Sequence, residues 1–156
     1  MKNTQPLLMI LFTWFLSCQV SAADLNVENA WVRSAPPNAP ALAAFMTLQN
    51  TSNNDLKLLS ADVKGYAQVE LHRTIAADGM MKMVKQNFIP IPAKTELQLK
   101  PGSWHIMLIQ PQKVPAVAES VSLKLSFDNG TQLDVIAVVK SGKMQHKGNM
   151  KHAHDQ

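Results

Sequence analysis

Cysteine and charged residues are scarce in this chain, and each shortage excludes a class of protein. The 156 residues include one Cys, which excludes a disulfide framework, a Cys-ligated zinc finger and an iron–sulfur protein. Charged residues make up 17%, and the net charge of +4 contains no charge block, so the basic patch of a nucleic-acid binder is missing. The sequence also lacks a Gly-rich phosphate loop, a Gly-x-Ser-x-Gly elbow and a His-Glu-x-x-His motif. Its dispersed carboxylates offer no acid/base pair, so no enzyme is predicted.

Residues 1–22 predict a secretory signal peptide rather than part of the fold. Lys2 supplies a positive charge, and the apolar run that follows it, from Leu7 to Leu16, is shorter than the ~20 residues that span a bilayer. Small residues at 21–23 then offer a cleavage site. The alternative is lipoprotein processing at Cys18, which would leave a lipidated N-terminus. We expect a periplasmic protein with no stable membrane insertion and no free thiol.

Residues 23–140 predict one β-domain, because apolar and polar residues alternate there with the period of two that strands require. The predicted strands are Leu25–Arg33, Ala43–Asn50, Leu56–Val63, Gln68–Thr74, Lys82–Phe88, Glu96–Leu99, Trp104–Ile109, Val121–Phe127 and Leu133–Val139. The turn signal Asp128-Asn129-Gly130 between the last two strands indicates a hairpin. No segment has a sustained 3.6-residue period. Short strands at this spacing predict an all-β antiparallel sandwich or barrel of the Greek-key type.

Two His and two Met of the domain have a spacing that strands can bring together: His72, Met83, His105 and Met107. His105 and Met107 are two residues apart, so they share one face of a strand. His72 ends one predicted strand, and Met83 begins the next after the loop at 76–79. Thioethers select Cu(I), zinc prefers thiolate, imidazole or carboxylate, and a blue-copper centre needs a Cys. The residues therefore predict a soft-metal site, and the alternative is that Met fills the core and the spacing is incidental.

The pattern His-x10-Met-x21-His-x-Met resembles the signature of the periplasmic PCu(A)C copper chaperones. Ala30-Trp31-Val32-Arg33, Val69-Glu70-Leu71-His72 and Phe127-Asp128-Asn129-Gly130 are similar to other segments of that family, whereas Ser103-Trp104 departs from it. The resemblance implies a cupredoxin-like Greek-key β-sandwich that binds one Cu(I) through the four residues. It also implies delivery to the CuA centre of cytochrome c oxidase subunit II, beside a Sco-type thiol chaperone.

The resemblance leaves other functions open. A copper storage or resistance protein, a copper-dependent redox enzyme and an exported structural β-domain are the alternatives to a non-catalytic carrier. We expect a monomer that binds no nucleic acid.

Residues 141–156 predict a flexible tail, because their only apolar residues are Met and Ala and they cannot bury a face. The tail carries a dense set of metal-binding side chains, namely Met144, His146, Met150, His152 and His154. Imidazole nitrogen suits Cu(II), so we expect a second, looser site for Cu(II). The alternative is a solvated basic tail, whose lysines repel a cation.

The remaining Met, Trp and acidic residues near the predicted ligands have simpler interpretations. Glu70 shares the face of His72 and could orient its imidazole. Met46, Met80 and Met81 are interpreted as core or loop residues, with a position beside the metal as the alternative. Trp31 is expected in the core, and Trp104 points away from the site.

Overall fold

The computed structural model describes residues 24–142, so the predicted signal peptide and the His and Met residues of the predicted tail lie outside the described residues. In the described part the chain is all-β, as predicted, and no helix there could cross a membrane. The strands are β1 (Leu25–Arg33), β2 (Ala41–Asn50), β3 (Leu56–Val63), β4 (Tyr66–Ala77), β5 (Met80–Gln86), β6 (Ile89–Ile91), β7 (Thr95–Leu99), β8 (Trp104–Pro111), β9 (Ser120–Phe127) and β10 (Gln132–Lys140).

The strands alternate between buried and exposed side chains, because successive residues of a strand point to opposite faces. β9 does so most regularly, and its buried residues are Val121, Leu123, Leu125 and Phe127. β10 pairs with it in antiparallel fashion, with Leu133 opposite Leu125, which confirms the predicted hairpin. Buried apolar side chains from every strand except β5 form a single core cluster.

The strands form one hydrogen-bonded path in the order β5-β4-β8-β2-β1-β10-β9-β3-β6, and β7 pairs with β2. Most neighbours in this path are not consecutive in sequence, as in Greek-key folds. β1 and β10 run parallel, with Arg33 opposite Lys140. Because β4, next to one end of the path, and β6, at the other end, both contribute side chains to the same core, the sheet curls around it into the cupredoxin-like sandwich that the resemblance implied.

A tight hairpin joins β4 to β5, and its turn is shorter than the predicted loop at 76–79. Asp78 and Gly79 have φ angles of 53° and 73°, and Ala77 pairs directly with Met80 across them. Asp-Gly is a preferred pair for a two-residue hairpin turn with positive φ, and loop length fixes the register of the strands. The hairpin therefore sets Met83 opposite Thr74.

The path gives β8 and β5 very different positions. β8 is an interior strand, hydrogen-bonded to β4 on one side and to the first half of β2 on the other. β5 pairs with β4 alone among the described residues and forms an edge of the sheet. The strands that carry the predicted ligands are thus adjacent, in the order β5, β4, β8.

One strand was not predicted from the sequence. Ile89–Ile91 forms β6, and Pro90 lies at its centre. Ile89 and Ile91 are completely buried, so burial of two large side chains stabilises this short strand. Because β6 lies at the other end of the path, the missing N–H of Pro90 leaves no gap in the interior of the sheet.

Candidate metal site

Two histidines meet across neighbouring strands that are far apart in sequence. His72 on β4 is the direct register partner of His105 on β8, and their ring centroids are 5.6 Å apart with the planes inclined at 50°. Paired residues of adjacent strands point to the same face of a sheet. The two imidazoles that the sequence singled out therefore face one another on the outer face of the sheet. The core residue Ile106 points to the other face.

Glu70 holds the ring of His72 in one orientation. Its Oε2 lies 2.8 Å from Nε2 of His72, and Lys85 Nζ donates to its Oε1 at 2.6 Å. The hydrogen bond from Lys85, and after it the one from His72, lowers the pKa of Glu70, so the carboxylate is ionised and can only accept. Nε2 of a neutral His72 therefore carries the proton, and the lone pair is on Nδ1.

A backbone carbonyl fixes the ring of His105, through Nδ1 rather than through the Nε2 used by His72. Nδ1 of His105 donates to the carbonyl oxygen of Ser103 at 3.1 Å, which leaves the lone pair on Nε2. The side chain is 2% exposed. Burial lowers the pKa of His105, the bond to Ser103 partly opposes this, and the nearby His72 lowers it slightly further. The lowered pKa favours the neutral ring, which is the form that binds a metal.

The nitrogens that carry the free lone pairs have no hydrogen-bond partner. Among the described residues, Nδ1 of His72 and Nε2 of His105 are both buried and unpaired. Buried polar atoms are almost always paired in folded proteins, so an unpaired one requires an explanation. Imidazoles that are fixed through one nitrogen and free at the other are typical of metal ligands. This donor set fits a bound metal ion.

The two predicted thioethers flank the histidines. Met107 follows His105 on the same face of β8, opposite Glu70 on one side and Ala43 on the other. Met83 reaches the group from the edge strand β5 and is 61% exposed. His105, Met107 and Met83 line one open pocket of about 210 Å³. The fold thus brings together all four predicted ligands, and the ligand set itself remains a prediction.

The pocket also contains residues that the sequence did not single out. Phe45 of β2 lies beside His105, with ring centroids 6.3 Å apart, and packs against Trp31 at 4.7 Å. The guanidinium of Arg33 lies 5.7 Å from the centre of the Phe45 ring. Trp31 was expected in the core, but it is only half-buried, on the outer face. The alternation of the strand could have predicted this position. If Val32 is buried, its neighbours Trp31 and Arg33 point away from the core.

The other predicted residues divide between core and surface. Met46 is 2% exposed and belongs to the core. As expected, Trp104 lies on the face opposite His105; it packs against the core, and the guanidinium of Arg73 lies 5.0 Å from the centre of its ring. Met80 and Met81 differ from the expectation, because they are 61% and 64% exposed. Neither belongs to the core cluster of residues 24–142, where β5 is an edge strand paired with β4 alone.

The predicted ligands of the tail site lie outside the described residues, namely Met144, His146, Met150, His152 and His154. Within residues 24–142 no group of three or more His, Cys, Asp or Glu is placed to bind a metal. The site of His72 and His105 differs from such a group because half of its predicted donors are thioethers.

The fold and the His/Met pocket define a PCu(A)C-type β-domain. The family model described as "Putative lipoprotein LpqE-like" matches residues 25–139. The chain belongs to this LpqE-like family, and the family resemblance seen in the sequence is confirmed.

Several known proteins are similar to this chain. "Putative lipoprotein Lxx21020" of Leifsonia xyli subsp. xyli (strain CTCB07) is 31% identical over 121 residues, which cover 76% of this chain and 71% of that protein. Apo-DR1885 from Deinococcus radiodurans, solved in solution, is 30% identical with a TM-score of 0.60, covering 92% of this chain and 98% of that chain. The copper-bound PCuAC domain from PmoF2 has a TM-score of 0.66 and 16% identity, covering 78% and 96%; this second likeness shows the fold.

Proposed function

We propose that this protein is an exported copper carrier that binds one Cu(I) through His72, Met83, His105 and Met107. The observation that supports this most directly is the pair of buried imidazole nitrogens without partners on two register-paired histidines. Two imidazoles and two thioethers form a soft, uncharged donor set, which suits Cu(I) better than zinc or a hard cation.

One relative supports the choice of metal. DR1885 has also been solved in a Cu(I) form, at 29% identity to this chain. This form of DR1885 covers 81% of this chain, so its metal is a guide to the one proposed here. Export is supported by the family description and by the lipoprotein name of the Leifsonia relative.

A carrier must release its metal as well as bind it, and the pocket suits both steps. His105 is buried, whereas Met83 is 61% exposed and lies on an edge strand. An acceptor can therefore approach the copper from the side of Met83. This exposure favours transfer over catalysis, which would benefit from a closed site that excludes water.

Anaerobic titration with Cu(I) in competition with bicinchoninate tests the ligand set. We expect one tightly bound Cu(I) in the domain, and a large loss of affinity in Met107→Leu and in Met83→Leu. The control is Met46→Leu, which changes a buried Met of the core and should leave binding unaltered. Unchanged affinity in both ligand variants would show that this ligand set is wrong.

We propose, from the family resemblance, that the acceptor is the CuA centre of cytochrome c oxidase subunit II in the periplasm, with a Sco-type thiol chaperone as a partner. Oxidase activity in a deletion strain tests this. We expect the activity to fall at limiting copper and to recover with the wild-type gene but not with Met107→Leu. Normal oxidase activity together with increased copper sensitivity would favour the alternative role in storage or resistance.

We also propose that the tail forms a second, looser site for Cu(II). The start of the tail supports this, because β10 ends beside the pocket: Ser34 N donates to the carbonyl oxygen of Lys140 at 2.9 Å, and Arg33 and Ser34 line the pocket. Tail ligands attached at this rim would be present at high effective concentration near His105. Truncation after Lys140 should abolish Cu(II) binding and retain one Cu(I). Uptake of Cu(II) by the truncated protein with the full-length stoichiometry and affinity would contradict the tail site.

The N-terminal sequence allows two forms of the exported protein. Cleavage near Ala22 would release the domain into the periplasm, whereas lipid attachment at Cys18 would hold it at the membrane surface. The family description favours testing the lipoprotein form directly. Mass spectrometry of the mature N-terminus, and the fractionation of Cys18→Ser, separate the two forms, because only the lipoprotein would lose its anchor in this variant.

A further inference from the structure

The face of β5 that carries Met83 continues outward to a second thioether. Residues two apart on a strand share a face, and Met81 pairs with Ala76 just as Met83 pairs with Thr74. Thr74 and Ala76 lie on the same face of β4 as His72. Met81 is therefore the next side chain after Met83 on the metal-site face, about 7 Å further along the strand.

Nothing within the described part of the chain covers Met81. It is 64% exposed, and its cross-strand neighbour Ala76 is small. Met side chains are usually buried in folded proteins, and no side chain of β5 belongs to the core cluster. A thioether is a soft donor for Cu(I). The position of Met81 beside Met83 therefore suits metal binding, whereas packing gives no reason for a Met there.

We propose that Met81 is an exchange ligand through which Cu(I) enters and leaves the site. This inference rests on the proposed function. In release, the Sδ atom of Met81 bonds to the bound Cu(I) as the bond from Met83 breaks, and an incoming donor of the acceptor then displaces the remaining protein ligands. The copper stays Cu(I) throughout, so no electron or proton is needed.

An exchange ligand changes rates without changing the equilibrium. It lowers the barrier for binding and for release by the same amount, so the ratio of the two rates is unaltered. A resident ligand behaves differently, because its loss weakens the complex itself. Measuring both the affinity and the release rate therefore distinguishes Met81 from Met83.

The chain offers a matched control next to Met81. Met80 is 61% exposed and lies on the same edge strand, but alternation puts it on the opposite face, away from His72. Met→Leu keeps the apolar volume and removes the sulfur. Because both residues are exposed, we expect Met81→Leu and Met80→Leu to fold like the wild type.

The test uses the full mature chain loaded with one equivalent of Cu(I), and stopped-flow measurement of its release to excess bicinchoninate. In Met81→Leu we expect release to be slower by about fivefold or more, with the equilibrium affinity within about twofold of the wild type. In Met80→Leu we expect both quantities to be unaltered.

Three results would overturn the inference while leaving the proposed function intact. Release of Met81→Leu at the wild-type rate would exclude an exchange role, and equal slowing in both variants would show a general surface effect. A loss of affinity as large as that of Met83→Leu would make Met81 a resident ligand. Failure of the wild type to bind Cu(I) in the preceding titration would instead overturn the proposed function, and this inference with it.

Discussion

The central strand β8 and the edge strand β5 each contribute to the candidate site, and they hold their ligands in opposite ways. His105 on β8 is 2% exposed, flanked by two hydrogen-bonded strands and fixed by the carbonyl oxygen of Ser103. Met83 on β5 is 61% exposed, and within residues 24–142 its strand is held by pairing with β4 alone. One side of the site is therefore preorganised, and the other is open.

The contrast suggests how one small site can both retain and release a metal. A ligand whose ring is fixed before binding loses little conformational entropy when the metal arrives, so it adds affinity. An exposed Met with several rotatable bonds can move aside at low cost. We expect changes on β8 to act mainly on affinity and changes on β5 to act more on exchange.

The largest effect is expected for His105→Leu. The variant removes a fixed ligand and fills the buried position with an apolar side chain, so Cu(I) affinity should fall by more than the roughly hundredfold that loss of a supporting contact can cost. The stability of the apoprotein should fall by no more than about 1.5 kcal/mol, because the variant loses the hydrogen bond to Ser103.

The control for His105→Leu is Ile106→Val, on the core face of the same strand. It should cost about 0.5–1.5 kcal/mol of stability and leave the affinity unchanged. Cu(I) competition and urea denaturation measure both variants. Wild-type affinity in His105→Leu would contradict the preorganised half of the comparison.

Met107→Leu and Met83→Leu compare the two strands through the same substitution. Both should weaken Cu(I) binding by at least about tenfold, and Met107→Leu should do so more, because Met107 lies on the fixed strand. The free energy of unfolding should change by under ~1.5 kcal/mol in Met107→Leu and by no more than about 0.5 kcal/mol in Met83→Leu, because Met83 is exposed. A larger loss of affinity in Met83→Leu, measured by the same competition, would reverse the assignment of fixed and open halves.

A smaller effect is expected from Glu70, which orients His72 without touching the metal. Glu70→Leu removes the acceptor at 2.8 Å from Nε2, so affinity should fall by about tenfold. Glu70→Gln keeps an acceptor oxygen and should recover most of this loss. Lys85→Leu removes the ion pair with Glu70 but leaves the bond to His72, so its affinity should stay near that of the wild type. Equal affinities in all three variants would show that Glu70 does not position the ring.

The smallest effect is a pH dependence of the stability of the apoprotein. The folded-state pKa of His105 lies below the ordinary value of 6.5, because of burial. As pH falls below about 6.5, the unfolded chain binds a proton that the folded chain does not. Stability is therefore full above this pH and declines toward the lowered pKa, by at most about 1.4 kcal/mol per pH unit from this residue.

Urea denaturation of the apoprotein between pH 7.5 and 5.5 measures the decline. His105→Leu lacks the titrating group and should have a flatter profile than the wild type. Identical profiles for the two proteins would show that His105 does not contribute to the pH dependence.

Local patterns predicted most of the strands and all four candidate ligands. Alternation located β9 and β10, and the i, i+2 spacing of His105 and Met107 put them on one face. The sequence pattern was less informative where the conformational preference of a residue disagrees with the burial of its neighbours. Pro90 argues against a strand, yet complete burial of Ile89 and Ile91 stabilises one. The Asp78-Gly79 turn is a local signal, but the longer loop expected at 76–79 left the exact register of Met83 undefined.

By itself the sequence determined the chemistry of the donors and the periodicity of the strands, because each of these depends on residues close together in the chain. Only the tertiary structure decided that β4 lies beside β8, so that His72 meets His105, and that β5 is left at the edge with Met81 and Met83 exposed. Such pairings bring distant segments together through the summed burial of many core residues, and no single segment encodes that sum.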